Sequence, residues 1–408
     1  MCFSLSAQKI IDLSGKWSFS IDRQDNGEKE KWFSHTLNDC INLPGSMPEK
    51  LKGDEVTAKT QWTGSLYDSS YYYNPYMEKY RKEGNIKFPF FLTPDKHYVG
   101  AAWYQKEVNI PADWKGERIL LFLERPHIET TVWVNGQKTG MQNSLCVPHQ
   151  YDITRYVRPG KCTITIRVDN RIKEINVGPD SHSITDQTQG NWNGIVGRIC
   201  LQTTPKTYFD DIQIYPEPEQ KLARVKVVIK GAGITKIKLS AESFNTDKKH
   251  IVPAIQQEIK LNKGVTETEM VLPMGNDMLL WDEFHPALYK LKAEVTNGKK
   301  TEIKEIQFGM RRFEIKGKWF YVNGRKTQLR GTVENCDFPL TGYAPMDVES
   351  WERVFRICRS YGLNHMRFHS FCPPEAAFIA ADRVGFYLQP EGPSWPNHGP
   401  KLGFGTTY

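Results

Sequence analysis

The chain has 408 residues, 39% hydrophobic and 25% charged, with 31 glycines and 24 prolines; this is the make-up of folded protein with room for two or three domains. Its net charge of +7 is scattered among acids rather than gathered into a stripe, which argues against a nucleic-acid binder, and no run of about 18 apolar residues exists to cross a membrane as a helix. The eight cysteines (Cys2, Cys40, Cys146, Cys162, Cys200, Cys336, Cys358, Cys372) form no CxxC pair and no Cys/His ligand spacing, so free thiols are expected rather than a zinc site or a disulfide framework.

The first ten residues, MCFSLSAQKI, place an apolar stretch before Ser6-Ala7, the pattern at the end of a secretion signal. Residues 1–7 are therefore expected to be a signal remnant of an exported protein, periplasmic or extracellular; the alternative is a frayed cytoplasmic terminus.

Residues 8–217 read as an all-β unit. Runs rich in β-branched and aromatic residues at 16–22, 103–110, 118–123, 130–134 and 163–168 are punctuated by Gly, Pro, Asn and Asp, and several alternate apolar with polar side chains as half-buried strands must. Asn135-Gly136 supplies the positive φ angles of a tight hairpin. Residues 53–98 are weakly patterned and rich in aromatics, which predicts an elaborated surface loop. Its Tyr71, Tyr72, Tyr73, Tyr76 and Tyr80 are read first as packing residues, with stacking on a sugar ring as the alternative.

A pause at Tyr215-Pro216-Glu217-Pro218 introduces a second set of strand-like runs at 224–229, 236–240, 268–272 and 289–295, spaced as in a small immunoglobulin-like sandwich over residues 218–308. Asp282, Glu283 and His285, before Pro286, read as turn residues. From about residue 309 the pattern becomes β-α-β-α-β: strand-like 327–332, a helix over 347–361 with Asp347 as N-cap and Gly362 as stop, strand-like 365–368, a helix over 375–384 stopped by Gly385, and strand-like 386–389. Such units build parallel sheets. A closed eight-stranded barrel needs about 250 residues, so these 100 predict only the first βα units of one.

Several runs carry a resemblance to a known family: LSGKWSFSID (13–22), INLPGSM (41–47), AAWYQKEVNIP (101–111), VWVNGQKTG (132–140) and GNWNGIVGRI (190–199), then FGMRRFEI (308–315), FYVNGRKTQLRGT (320–332), MRFHSFCPPEAAF (366–378) and FYLQPEGPSW (386–395). Their order over nearly the whole chain resembles family 2 of the glycoside hydrolases, which contains β-galactosidases, β-glucuronidases and β-mannosidases. The resemblance implies a multidomain protein: a sugar-binding jelly-roll β-sandwich, an immunoglobulin-like β-sandwich, and a truncated TIM (β/α)8 barrel over residues 309–408. It also implies a retaining exo-β-glycosidase, β-galactosidase-like, that hydrolyses O-glycosyl bonds of an oligosaccharide or glycoside with two glutamates about 5 Å apart.

In the family the acid/base glutamate follows an asparagine after the fourth barrel strand, and the nucleophile follows a later strand. No Asn-Glu dipeptide occurs in the 408 residues, so both carboxylates are expected beyond Tyr408 and the chain alone is expected to be inactive. What the resemblance carries over is the early half of the pocket. Glu334, Asn335 and Asp337 follow the first strand, acidic where the galactosidases have histidines. Arg367 and His369 follow the second, the histidine one position nearer the arginine than in relatives. Glu391 follows the third, corresponding to a residue that in β-galactosidases helps hold magnesium, and Trp395 is placed to stack on a pyranose.

Asp186, Asn191 and Trp192 lie in a loop that in relatives approaches the barrel mouth, although a turn on Gly190 and Gly194 explains them equally well. Arg367 is read either as a substrate contact or as the partner of a neighbouring carboxylate. No cofactor is required on this reading; a divalent cation stays open, with Glu391 its one candidate ligand. The rival reading is a non-catalytic carbohydrate-binding protein built on the same sandwich.

Overall fold

The computed structural model describes residues 9–63, 69–88, 93–173, 190–338 and 340–392. The signal-like residues 1–7, Asp186 and Trp395 lie outside the described residues.

The first unit is two antiparallel sheets packed face to face. One runs in the order Ile10–Asp12, Gly194–Thr204, Arg118–His127, His149–Asp152; Gly45–Ser46 also pairs with Gly194–Thr204. The other runs Gln137–Asn143, Glu129–Val134, Gly160–Asp169, Ala101–Ile110, Gly15–Asp22, Asp39–Leu43. Alternate residues of these strands point inward, so Trp17, Phe19, Leu121, Leu123, Ile164, Ile166, Val168 and Leu201 fill one core between the sheets. Asn135 and Gly136 take φ of +48° and +76°, the pair of positive angles that closes the hairpin between Glu129–Val134 and Gln137–Asn143.

The insertion at 53–98 has its own small core, in which Tyr71 is buried against Phe88 and Tyr80 is partly buried. Tyr72 is part-exposed but meets Tyr71 edge-on at 5.1 Å and donates its hydroxyl to the Ala58 carbonyl at 3.4 Å, whereas Tyr73 and Tyr76 are the most exposed of the five.

The second unit is a sandwich made largely from two 23-residue strands, Leu222–Phe244 and Ile251–Pro273. Each bends at glycine, where Gly233 and Gly264 have φ of +90° and +117°, and the register between the strands shifts at Gly231/Gly233. The two halves of Leu222–Phe244 then pair with different neighbours, Tyr208–Glu217 along the first and Leu288–Asn297 along the second. Val225, Val227 and Ile229 of one half share a core with Ile237 and Leu239 of the other. The runs at 224–229 and 236–240, which read as separate strands in the sequence, are thus the two halves of one.

Tyr208–Glu217 pairs with the start of this strand, so the second unit begins before Tyr208 and not after residue 217. The proline-rich pause is a tight hairpin, a 3-10 turn over Pro218–Gln220 ending at Lys221 with φ of +55°, and in sequence it imitates a linker.

A three-stranded meander, Phe313–Lys316, Trp319–Val322 and Arg325–Thr327, leads into a parallel sheet of Gly331–Glu334, His365–Phe368 and Tyr387–Gln389. The single run expected at 327–332 is therefore split between these two sheets. The helices Val348–Ser360 and Glu375–Val384 follow the first two parallel strands. Trp351 and Phe355 of the first helix and Ala376, Ala377, Ala380 and Ala381 of the second bury one face of the sheet, against Met366, Phe368 and Leu388. Val333, Arg367 and Gln389 share register on the other face, and Val333 is exposed there. Among the described residues this unit holds three parallel strands and does not close on itself.

Candidate functional site

Glu334, His369 and Glu391 each stand at or just past the carboxyl end of one parallel strand, so adjacent strands bring them to one rim of the sheet. Arg367, one residue before the end of the second strand, points its guanidinium there as well: its Nε donates to Glu391 Oε1 at 2.5 Å. The second oxygen of Glu391 accepts from the backbone N–H of Ser370 at 2.9 Å, and the N–H of Glu391 donates to the carbonyl of Phe371 at 3.2 Å. The Arg367 guanidinium, helped by the Ser370 N–H and the nearby His369, holds the Glu391 carboxyl below the usual range, so it is anionic at neutral pH. Arg367 thus has Glu391 as a carboxylate partner, one of the readings the sequence left open.

Glu334 is the opposite case. Its carbonyl accepts from the His369 N–H at 2.8 Å, which ties the first two strand ends together, and its Oε1 accepts from the Cys336 N–H at 2.7 Å. Its Oε2 is buried with no hydrogen-bond partner. Burial pushes this carboxyl up, towards the protonated form. The strand ends thus carry one carboxyl biased to the charged state and another biased to be neutral. Asn335 and Asp337 lie exposed in the loop that follows.

The loops making these contacts are conformationally forced. Cys336 and Ser370, neither a glycine, have φ of +63° and +68°, and Ser370 is fully buried. Such angles cost free energy and persist where the surroundings over-determine them.

Asn191 and Trp192 separate in role. Asn191 is a buried tether: its Nδ2 donates to the carbonyl of Asn170 at 3.0 Å and to Thr63 Oγ1 at 2.8 Å, and its Oδ1 accepts from Asn170. Trp192 stacks on His127 with ring centroids 4.5 Å apart and meets Tyr343, in the loop after the first parallel strand, at 5.6 Å. Beside it a cavity of about 50 Å³ is lined by Arg125, His127, Trp192, Cys336, Tyr343 and Phe371 among others.

The first sandwich grips the rim loops through further contacts that local sequence patterns did not reveal. Ser46 Oγ donates to the carbonyl of Thr341 at 2.6 Å and Tyr343 OH to Glu49 Oε2 at 3.0 Å. Arg125 reaches the carbonyls of Cys372 and Pro373, and Arg198 pairs with Glu375 at 2.8 Å. The signals available were the runs INLPGSM, GNWNGIVGRI and MRFHSFCPPEAAF, which contain Ser46, Arg198 and the Cys372, Pro373 and Glu375 of these contacts.

The amino-terminal side of the sheet is held by the second sandwich. Asp282 caps its turn, as the sequence suggested, but Glu283 is buried and accepts from Asn364 Nδ2 at 2.9 Å and Arg330 at 3.3 Å. Each oxygen of Glu391, the one candidate cation ligand, accepts a hydrogen bond, from Arg367 and from Ser370, and among the described residues no three His, Cys, Asp or Glu side chains converge as ligands.

Residues 10–205 match the model of the glycosyl hydrolases family 2 sugar binding domain, and residues 207–311 match that of glycosyl hydrolases family 2. A β-galactosidase of Thermoanaerobacter pseudethanolicus is 25% identical over 77% of this chain and 42% of its own length. The β-glucuronidase of Homo sapiens is 23% identical over 95% of this chain and 58% of its own. The chain thus spans about half the length of the curated relatives it matches.

Among solved structures, a glycosyl hydrolase family 2 member from Bacteroides cellulosilyticus superposes with a TM-score of 0.67 at 19% identity, over 94% of this chain and 47% of that one. The β-glucuronidase of Ruminococcus gnavus in complex with D-glucaro-d-lactam superposes with a TM-score of 0.69 at 19% identity, over 95% and 60%. Two consecutive matches to one family, in an unbroken order of sandwich, sandwich and parallel sheet, place this chain in family 2 of the glycosyl hydrolases.

Proposed function

We propose that the chain supplies the front half of a retaining exo-β-glycosidase, with the parallel sheet as the opening of a (β/α)8 barrel and its carboxyl-end rim as the start of the sugar pocket. The observation that carries this reading is the pairing of Arg367 with Glu391 beside His369, with Glu334 at the end of the neighbouring strand, all at the carboxyl ends of three adjacent parallel strands, the end of a barrel where active sites lie. On this reading Glu391 accepts from sugar hydroxyls while Arg367 donates, and the buried Glu334 holds the first strand end against the second through its carbonyl and the His369 N–H.

Retaining hydrolysis needs one carboxyl to protonate the leaving oxygen and a second to attack the anomeric carbon. On this reading neither is among the residues assigned here, so the 408-residue chain holds sugar without turning it over. Incubation with nitrophenyl β-galactoside, β-glucuronide, β-mannoside and β-glucoside is expected to release no nitrophenol. Saturable binding of the matching monosaccharide, weakened in Arg367→Ala, is expected in the same protein. Turnover of any one substrate, abolished in Glu391→Gln, would name the sugar and overturn the inactivity. Monosaccharide binding indifferent to Arg367 would shift the reading to a carbohydrate-binding protein with its site elsewhere.

A further inference from the structure

The first sandwich lies in the part of the chain matched by a sugar-binding model, yet the rim described above belongs to the parallel sheet. Among the described residues of 9–205, the exposed aromatic side chains are Tyr72, Tyr73 and Tyr76, at 47%, 73% and 85% exposure. All three sit within five residues of one another on the 53–98 insertion. The same segment buries its other aromatics efficiently: Tyr71 is wholly buried, stacked on Phe88 at 4.7 Å, and Trp62 meets Phe88 edge-on at 5.0 Å. Lys79 and Arg81 lie over Tyr80 and Tyr71. Tyr72 itself meets Tyr71 edge-on at 5.1 Å and donates its hydroxyl to the Ala58 carbonyl at 3.4 Å, so the exposure of Tyr73 and Tyr76 is not a failure of the segment to form a core.

Their backbone is also held in place. Two short 3-10 turns, Ser69–Tyr72 and Pro75–Tyr80, carry Tyr72 and Tyr76, and Tyr73 lies between them. Asn74 Oδ1 caps the second turn by accepting from the Tyr76 N–H at 2.9 Å, the Ser70 carbonyl accepts from Tyr73 and Asn74, and Tyr71 OH anchors to the Tyr80 carbonyl at 2.8 Å. Flat rings presented on a fixed backbone lose little freedom on binding. A tyrosine offers an apolar face and a hydroxyl at its tip, which match the C–H face and hydroxyl edge of a pyranose.

We propose that Tyr72, Tyr73 and Tyr76 form an accessory stacking surface for a neutral pyranose chain, separate from the strand-end rim. Tyr73 and Tyr76 carry most of the contact because they are the most exposed. The surface serves to hold a polymeric glycan near the enzyme and takes no part in bond cleavage, so the proposal stands whether or not the chain turns substrate over.

The test is calorimetric titration of the full 408-residue chain with soluble galactan, galactomannan, xyloglucan and mixed-linkage glucan. Binding to at least one is expected. The double variant Tyr73→Ala/Tyr76→Ala should lose at least ten-fold in affinity with an unchanged Tm, since both side chains are on the surface, and Tyr76→Trp should keep the affinity by preserving a flat ring. Arg367→Ala, which disturbs the rim, should leave polysaccharide binding intact. Absence of binding to all four polymers would overturn the proposal. Binding that survives the double variant, or that is lost in Arg367→Ala instead, would overturn it equally.

Discussion

Arg367 and Glu391 are 24 residues apart in the chain and in direct contact in the fold, and Glu334 lies one strand away with an oxygen that nothing satisfies. A buried carboxyl in that condition destabilises the protein once it ionises, because the folded state holds its proton more tightly than the unfolded chain does. Stability therefore falls as pH rises from the ordinary glutamate value of 4.5 through the higher folded value, and stays lowered above it. Glu334→Gln keeps the acceptor for the Cys336 N–H and removes the charge. The variant should have a higher Tm than the parent at neutral pH, with the gap closing below pH 4.5; a gap independent of pH would show that Glu334 is not the group responsible.

At the scale of elements, the helices of the third unit were the most legible part of the chain. Asp347 does accept from the Ser350 N–H at 2.8 Å, the helix runs Val348–Ser360, and Gly385 ends the second helix with φ of +77°. Caps and 3.6-residue periodicity are local, so sequence alone exposes them. Asp347→Ala should cost about 1 kcal/mol, read as a lower midpoint in urea without a change in slope. The long strands of the second sandwich were less legible. A bend at glycine inside one strand has the same sequence signature as a turn between two, and only the pairing of Leu222–Phe244 with Ile251–Pro273 along their whole length distinguishes the cases.

At the scale of the molecule, the parallel sheet is clamped from both ends, by the first sandwich at its carboxyl rim and by the second at its amino side. Asn364 is the centre of the second clamp. Buried at 1% exposure, it donates to Glu283 and to the Gln328 carbonyl and accepts from the Arg330 N–H. Asn364→Ala should destabilise the protein by about 2–3 kcal/mol by leaving buried polar partners unmet. Hydrogen exchange should show His365–Phe368 losing protection while the core strands of the first sandwich keep theirs; equal loss in both would mean that the units unfold as one.

The sequence by itself determined the family motifs, the approximate position of most strands and both helices, and the residues placed after each parallel strand, because all of these are written in spacings of a few residues. It could not decide what those residues touch. The pairing of Arg367 with Glu391, the unpartnered oxygen of Glu334, the left-handed Ser370 and Cys336, the stack of Trp192 between His127 and Tyr343, and the division of five tyrosines into buried and exposed depend on which loops meet when the three units pack. Such contacts join residues distant in the chain, and their energies come from burial and charge at the point of meeting, for which local periodicity holds no code.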